Sequence, residues 1–207
     1  MGEQMAKLAN LLSFPDPHRH LTPEIKTLAR GGITEILGDP SSGRTGLSQW
    51  MLTIATLGGE ISAIVDCDDS FDPASARRAG VDLGKLLWVQ CGHRVETALR
   101  ATDLILHAGG FGLTILDLGD APPVLLNKIP ISYWYRFQRA IEHTPSALVI
   151  VAKHAIARSS SIRQMVFKRQ KIQWQGNPPF QTIDRMELQV ESRKPMSGVP
   201  LIVNVEK

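Results

Sequence analysis

Two hydrophobic rhythms alternate along this chain. Ile33–Leu37, Ile61–Val65, Leu86–Val89, Leu113–Leu116 and Ala147–Val151 are short, largely apolar runs, the pattern of strands covered on both faces. Between them apolar residues return at helical spacing. Leu47, Trp50, Met51, Ile54 and Leu57 form one such stripe, ended by Gly58-Gly59; Val95, Ala98, Leu99, Thr102, Ile105 and Leu106 form another, closed by Gly109-Gly110. A short helix fits Pro73 to Ala79, and another the stretch around Trp134–Ile141. Strand and helix in alternation predict an α/β fold with a mostly parallel sheet between helical layers. Near the C-terminus the style changes. Met186, Leu188 and Val190 alternate with polar residues, as do Leu201, Val203 and Val205, and Arg193 to Gly198 supplies turn chemistry. That pattern predicts an antiparallel hairpin on the sheet edge.

The first strand runs into Gly38-Asp39-Pro40-Ser41-Ser42-Gly43-Arg44-Thr45-Gly46, and the first helical stripe follows. This is the phosphate-cradling pattern G-x-x-x-x-G-K-[ST] at every position except Arg44, where lysine is expected. Such a loop aims backbone N–H groups and a helix N-terminus at one anion. The nine residues Gly38 to Gly46 are therefore the candidate nucleotide-binding segment.

Composition narrows the class. The chain of 207 residues predicts one domain, residues 31–207, preceded by a turn-rich arm over residues 1–30. Met1 to Asn10 lacks the apolar centre of a signal peptide and no apolar run reaches membrane length, so no membrane association and a cytoplasmic location are expected. Cys67 and Cys91 lie in strand-like surroundings without metal spacing and read as buried thiols. The net charge is +3, unevenly spread: residues 60–120 hold ten acids, whereas Lys153 to Lys171 holds six Lys/Arg and no acid. An anionic partner is therefore expected for the C-terminal third.

A second stretch carries a family resemblance. Ala63-Ile-Val-Asp66-Cys-Asp68-Asp-Ser-Phe-Asp72-Pro73, then Gly80-Val-Asp82 and Leu86-Leu87-Trp-Val-Gln90, resembles the corresponding RecA segment at the right distance from a loop that is itself RecA-like. The similarity runs from about residue 31 to 120, with weaker matching to about 155. It implies a RecA-like fold, with ATP and Mg²⁺ as cofactors, Thr45 and Asp117 on the metal, Asp68 at the catalytic carboxylate position and Lys153 at the γ-phosphate sensor position. It also implies self-association and single-stranded DNA as a partner.

The chain departs from the recombinases at those same places. Arg44 replaces lysine, Asp68 is one methylene shorter than glutamate, Ser75 stands at the adenine-stacking tyrosine, and Lys153 replaces glutamine. Slow or absent ATP hydrolysis is expected. The short core, altered motifs and C-terminal hairpin are more similar to the ImuA group of accessory proteins in damage-induced mutagenesis, whose partners are error-prone polymerase components and other DNA-repair proteins. An ATPase with unusual catalytic groups, and a RecA-like regulatory module unrelated to repair, are the other readings.

Each candidate has a plainer counterpart. Asp117 either holds a metal's water or caps a turn. Asp68 orients water or belongs to a solvated acidic loop with Asp66 and Asp69. Arg44 binds phosphate, or pairs with Asp117 or Asp68 and fills the phosphate site itself. Arg158, Arg163, Lys168, Arg169 and Lys171, with Phe167 and Trp174 nearby, form the candidate nucleic-acid contact. The spacing of Ile162, Met165 and Val166 predicts that Ala155–Gln175 is a helix, which would make those charges a solvated face. Trp134, Phe137 and Ile141 read as core.

Overall fold

A computed structural model describes residues 28–177, 182–194 and 201–206. Eight strands form one sheet in the order β3-β2-β4-β5-β1-β6-β7-β8. They are β1 (Ile33–Gly38), β2 (Ser62–Asp66), β3 (Leu86–Gln90), β4 (Leu113–Asp117), β5 (Ala147–Ala152), β6 (Ser161–Gln175), β7 (Thr182–Lys194) and β8 (Leu201–Glu206). Pairings among β1 to β6 are parallel, and β7 and β8 are added antiparallel. The helices are α1 (Arg44–Leu57), α2 (Pro73–Arg78), α3 (Val95–Ala108), α4 (Pro123–Leu126) and α5 (Ile131–Ile141). The α/β class and the five strands match the expectation, with one correction: β3 is the edge strand of the sheet and its Leu87 is 43 % exposed, so only β1, β2, β4 and β5 are central and covered on both faces.

Alternation along the strands divides the core in two. Leu37, Val65, Leu116 and Ile150 pack with Leu99 of α3 and Trp134 and Phe137 of α5. Ile36, Ile64, Ile115 and Val151 pack with Leu47 and Met51 of α1 and Ala76 of α2. Successive strand residues point to opposite faces, so a strand covered on both sides must be apolar throughout. Trp134, Phe137 and Ile141 are buried as core, while Tyr135 on the same helix is exposed. Cys67 and Cys91 are buried free thiols. Burial pushes the Cys67 thiol up to about 12, and the nearby Asp68 charge adds to the effect.

The C-terminal hairpin pairs in the register its alternation requires: Met186 with Val205, Leu188 with Val203, Val190 with Leu201. Residues 1–27 of the expected arm and the turn at 195–200 lie outside the described residues.

One expectation is corrected. The segment Ala155–Gln175 is not a helix: a short loop and one helical turn at Arg158–Ser160 lead into the 15-residue strand β6. Tertiary pairing explains the reversal. Residues 161–167 lie parallel to β1, and Val166 reaches one core while Met165 and Phe167 reach the other. An apolar set spaced three and four apart also fits a strand that is buried on both faces, and the free edge of β1 decides between them.

Beyond Phe167, which is level with Gly38, β6 has outrun β1 and pairs only with β7. Because β1 and β6 are parallel, this ribbon, made of β6 and β7 with β8 along the outer side of β7, projects from the same sheet edge that carries the loop after β1.

Candidate functional site

The site is built at the C-terminal ends of the parallel strands, where open α/β sheets place their ligand crevices. β1 ends in the glycine loop and β4 ends in Asp117, with β5 between them. Asp117 is level with Val151 of β5, and Val151 with Ile36 of β1. The residues proposed from sequence to hold phosphate and metal therefore share one sheet edge.

The loop has a cradle's geometry. Gly38 has φ 152° and Gly43 has φ 94°, the latter serving as N-cap of α1. A Cβ on Gly38 would stand 2.4 Å from the Phe167 carbonyl oxygen and 2.6 Å from Ser42 Oγ; one on Gly43 would stand 2.6 Å from Leu188 Cδ1. At Gly38 the obstacle is backbone, which admits no side chain, and at Gly43 the left-handed φ strains any residue but glycine. Ser42 Oγ is buried and lacks a hydrogen-bond partner. A buried hydroxyl left unpaired inside a loop of N–H donors fits an anion that would accept its hydrogen bond. On this observation the loop residues fit a phosphate.

Arg44 takes neither of its expected routes in full. Its side chain is 7 % exposed. Nη1 donates to the Gly119 carbonyl oxygen at 3.1 Å, and Nη2 lies 3.7 Å from Asp120 Oδ1. Both residues follow β4, so the side chain crosses the end of β5 to reach them. Asp120, not Asp117 or Asp68, is the carboxylate that pairs with it. A Cβ on Gly119 would lie 3.0 Å from Asp117 Oδ1 and 3.3 Å from both guanidinium Nη atoms. Asp117 and the guanidinium thus approach one point beside Gly119.

Asp117 accepts the Gly119 N–H at 2.9 Å, the geometry of a turn cap. Burial pushes its carboxyl up to about 6, opposed by that hydrogen bond and by the Arg44 charge. Asp68 has an 11 % exposed side chain, so it is not part of a solvated loop. It accepts the Asp120 N–H at 3.1 Å and lies 3.7 Å from His93 Nδ1. Burial raises its pKa, and the Asp120 N–H opposes the shift. The neighbouring acids are structural. Asp66 accepts from the Ser70 and Phe71 N–H groups and from Trp88 Nε1, and Asp72 caps α2 through the Ala74 and Ser75 N–H groups ahead of Pro73.

Lys153, one residue past β5, lies 2.9 Å from Asp39 Oδ1 and so ties that strand's end to the glycine loop. Lys168 pairs with Glu191 at 3.1 Å across the ribbon. Lys153, His154, Lys168 and Arg169 join Gly38, Asp39 and Ser42 around a cleft of about 440 Å³. The basic residues divide into two places. Lys168, Arg169 and Lys171 stand on the projecting ribbon near the loop, with Trp174 55 % exposed farther out. Arg163 is level with Thr34 of β1, and Arg158 lies in the turn before β6, its carbonyl oxygen held by Lys194 Nζ at 2.6 Å.

Sequence reasoning missed three groups. Asp120, the partner of Arg44, had no motif to mark it. Asp39 appeared only as a loop residue, although it is the counter-ion of Lys153. Glu35 is fully buried in β1, where its carboxylate accepts from the Ile156 and Ala157 N–H groups and from Gln164 Nε2 at 2.6–2.9 Å. A charged residue inside an otherwise apolar strand was the available signal for Glu35.

A glycine cradle between β1 and α1, with an aspartate ending a nearby parallel strand, defines the class as a P-loop-type α/β domain. A model of the RecA N-terminal domain matches residues 20–123, about half of the chain, and the chain belongs to that family. It is 39 % identical over 90 residues to the Protein RecA of Chlorobium chlorochromatii, covering 44 % of this chain and 25 % of the relative. With the Protein RecA of Symbiobacterium thermophilum the identity is 34 % over 119 residues, covering 56 % and 33 %. The matched stretch thus spans a quarter to a third of the relatives' own length. Lys153, the basic ribbon and the terminal hairpin lie beyond the residues that match the family model.

Proposed function

We propose that this chain is a RecA-like, non-recombinase accessory factor in the DNA damage response, akin to the ImuA group in translesion mutagenesis. It works mainly through protein contacts, with error-prone polymerase components or other repair proteins as partners and single-stranded DNA as a further one. Nucleotide turnover is slow or absent. The observation carrying this reading is the engagement of Arg44 with Gly119 and Asp120, because a cation committed to the β4 loop cannot follow charge as it develops on a transferring phosphoryl group. The substituted sensor position supports it, since Lys153 is tied to Asp39.

A second reading, an ATPase with unusual groups, is favoured by the placement of Asp117 and the glycine loop on one sheet edge. The two are separated by measuring phosphate release with and without single-stranded DNA, alongside affinity capture with purified error-prone polymerase components. Capture without DNA-stimulated turnover supports the accessory role. Robust turnover abolished by Thr45→Ala overturns it in favour of the ATPase.

A further inference from the structure

The volume between the glycine loop and the end of β4 already contains a fixed positive charge. Four observations define it. The guanidinium of Arg44 is buried, and one of its nitrogens is hydrogen-bonded to Gly119. The nearby Asp120 carboxylate offsets part of its charge. Its terminal nitrogens and Asp117 Oδ1 approach the same point beside Gly119, from 3.3 Å and 3.0 Å. Ser42 Oγ, buried and unpartnered, lies inside the loop at the start of the 14-residue helix α1.

The family resemblance would put Thr45 and Asp117 on a divalent cation that neutralises phosphate charge. Here a second cation in that space would face the guanidinium at short range and compete with it for the same carboxylates. The residues fit a phosphate group but not a phosphate group together with a metal. Guanidinium presents a fork of N–H donors that matches phosphate oxygens, and only one such donor is committed to a protein hydrogen bond described above.

We propose that the loop binds the phosphate chain of a nucleotide without a divalent cation, with the guanidinium of Arg44, held by Gly119 and Asp120, in the metal's place. This rests on reading residues 38–46 as a phosphate cradle and deepens that reading by removing the metal from the site. Phosphate oxygens would accept from the Ser42 hydroxyl and the loop N–H groups, with Arg44 as the counter-charge on the β4 side.

Calorimetric titration of ATP into the full chain, once in EDTA and once in excess Mg²⁺, tests the proposal directly. The expected result is the same affinity in both buffers to within about threefold, with pyrophosphate competing in EDTA. The Arg44→Lys variant should lose about tenfold in EDTA and recover in Mg²⁺, because the shorter ammonium leaves the metal's place open; a tenfold change corresponds to about 1.4 kcal/mol. Binding of ATP by the natural chain only in Mg²⁺ overturns the metal-free site and leaves the cradle standing. No binding in either buffer overturns both, and leaves the accessory role to be judged on its partner contacts. The natural chain alone decides the question if the lysine variant does not fold.

Discussion

Lys153 Nζ lies 2.9 Å from Asp39 Oδ1, joining the end of β5 to the first turn of the glycine loop. The pair is exposed, and the hydrogen bond and charge of Lys153 hold the Asp39 carboxyl below its usual range. Asp39 favours the folded arrangement once ionised, and that contribution is lost as pH falls through its lowered pKa. Lys153→Gln should return the Asp39 titration to the ordinary carboxylate range, read by NMR, with only a slight effect on melting. An unchanged Asp39 titration would show that the contact does not persist in solution.

Glu35 is the buried carboxylate on which the start of β6 depends. Its three hydrogen bonds hold the Ile156 and Ala157 N–H groups and Gln164. Glu35→Ala leaves all three donors buried without an acceptor and should cost about 3 kcal/mol or more. Glu35→Gln keeps the size and one carbonyl acceptor and should cost less, about 1–3 kcal/mol. Urea unfolding of both variants measures the difference. Equal costs would mean that shape, not acceptor capacity, holds the segment.

Asp117 gives the fold a pH dependence of definite sign. Its carboxyl is raised to about 6, so between about pH 4 and 6 the folded chain holds a proton that the unfolded chain has released. Stability from this group is greatest below that window, falls as pH rises through it, and stays reduced above it. Asp117→Asn should remove the slope and be more stable at neutral pH by about 1–2 kcal/mol, allowing for partial solvent screening, with no advantage near pH 4. Denaturant midpoints at pH 4 and pH 7.5 check this. A variant less stable at both would mean that the Arg44 charge outweighs burial.

The projecting ribbon makes the DNA expectation sharper than a helix would. Lys168, Arg169 and Lys171 lie close together on β6, whereas Arg163 is five residues before Lys168 and stands about 16 Å away along an extended strand. The double reversal Lys168→Glu with Arg169→Glu should weaken single-stranded DNA binding similarly for all sequences and lower the salt slope by about 0.7 per lost contact. Reversal of Arg163 alone should have a smaller effect on the same contact surface. Unchanged affinity in the double variant would exclude the ribbon as a DNA contact and leave an acidic protein surface as its partner.

Residue pattern alone sufficed for the elements whose local and global preferences agree. The apolar runs of β1, β2, β4 and β5 read as strands covered on both faces, Gly38 and Gly43 marked the bounds of a phosphate-type loop, and alternation placed Met186, Leu188 and Val190 opposite Val205, Val203 and Leu201. Local pattern sufficed there because period and burial give the same answer. It failed where the partner is distant in sequence. The segment 155–175 has an apolar spacing compatible with either structure, and the free edge of β1, more than a hundred residues earlier, made it a strand. The partner of Arg44 was equally illegible, because choosing Asp120 over Asp68 and Asp117 depends on how the chain turns after β4. Side-chain reach across a sheet edge is set by strand order and register, quantities that exist only once the sheet has formed.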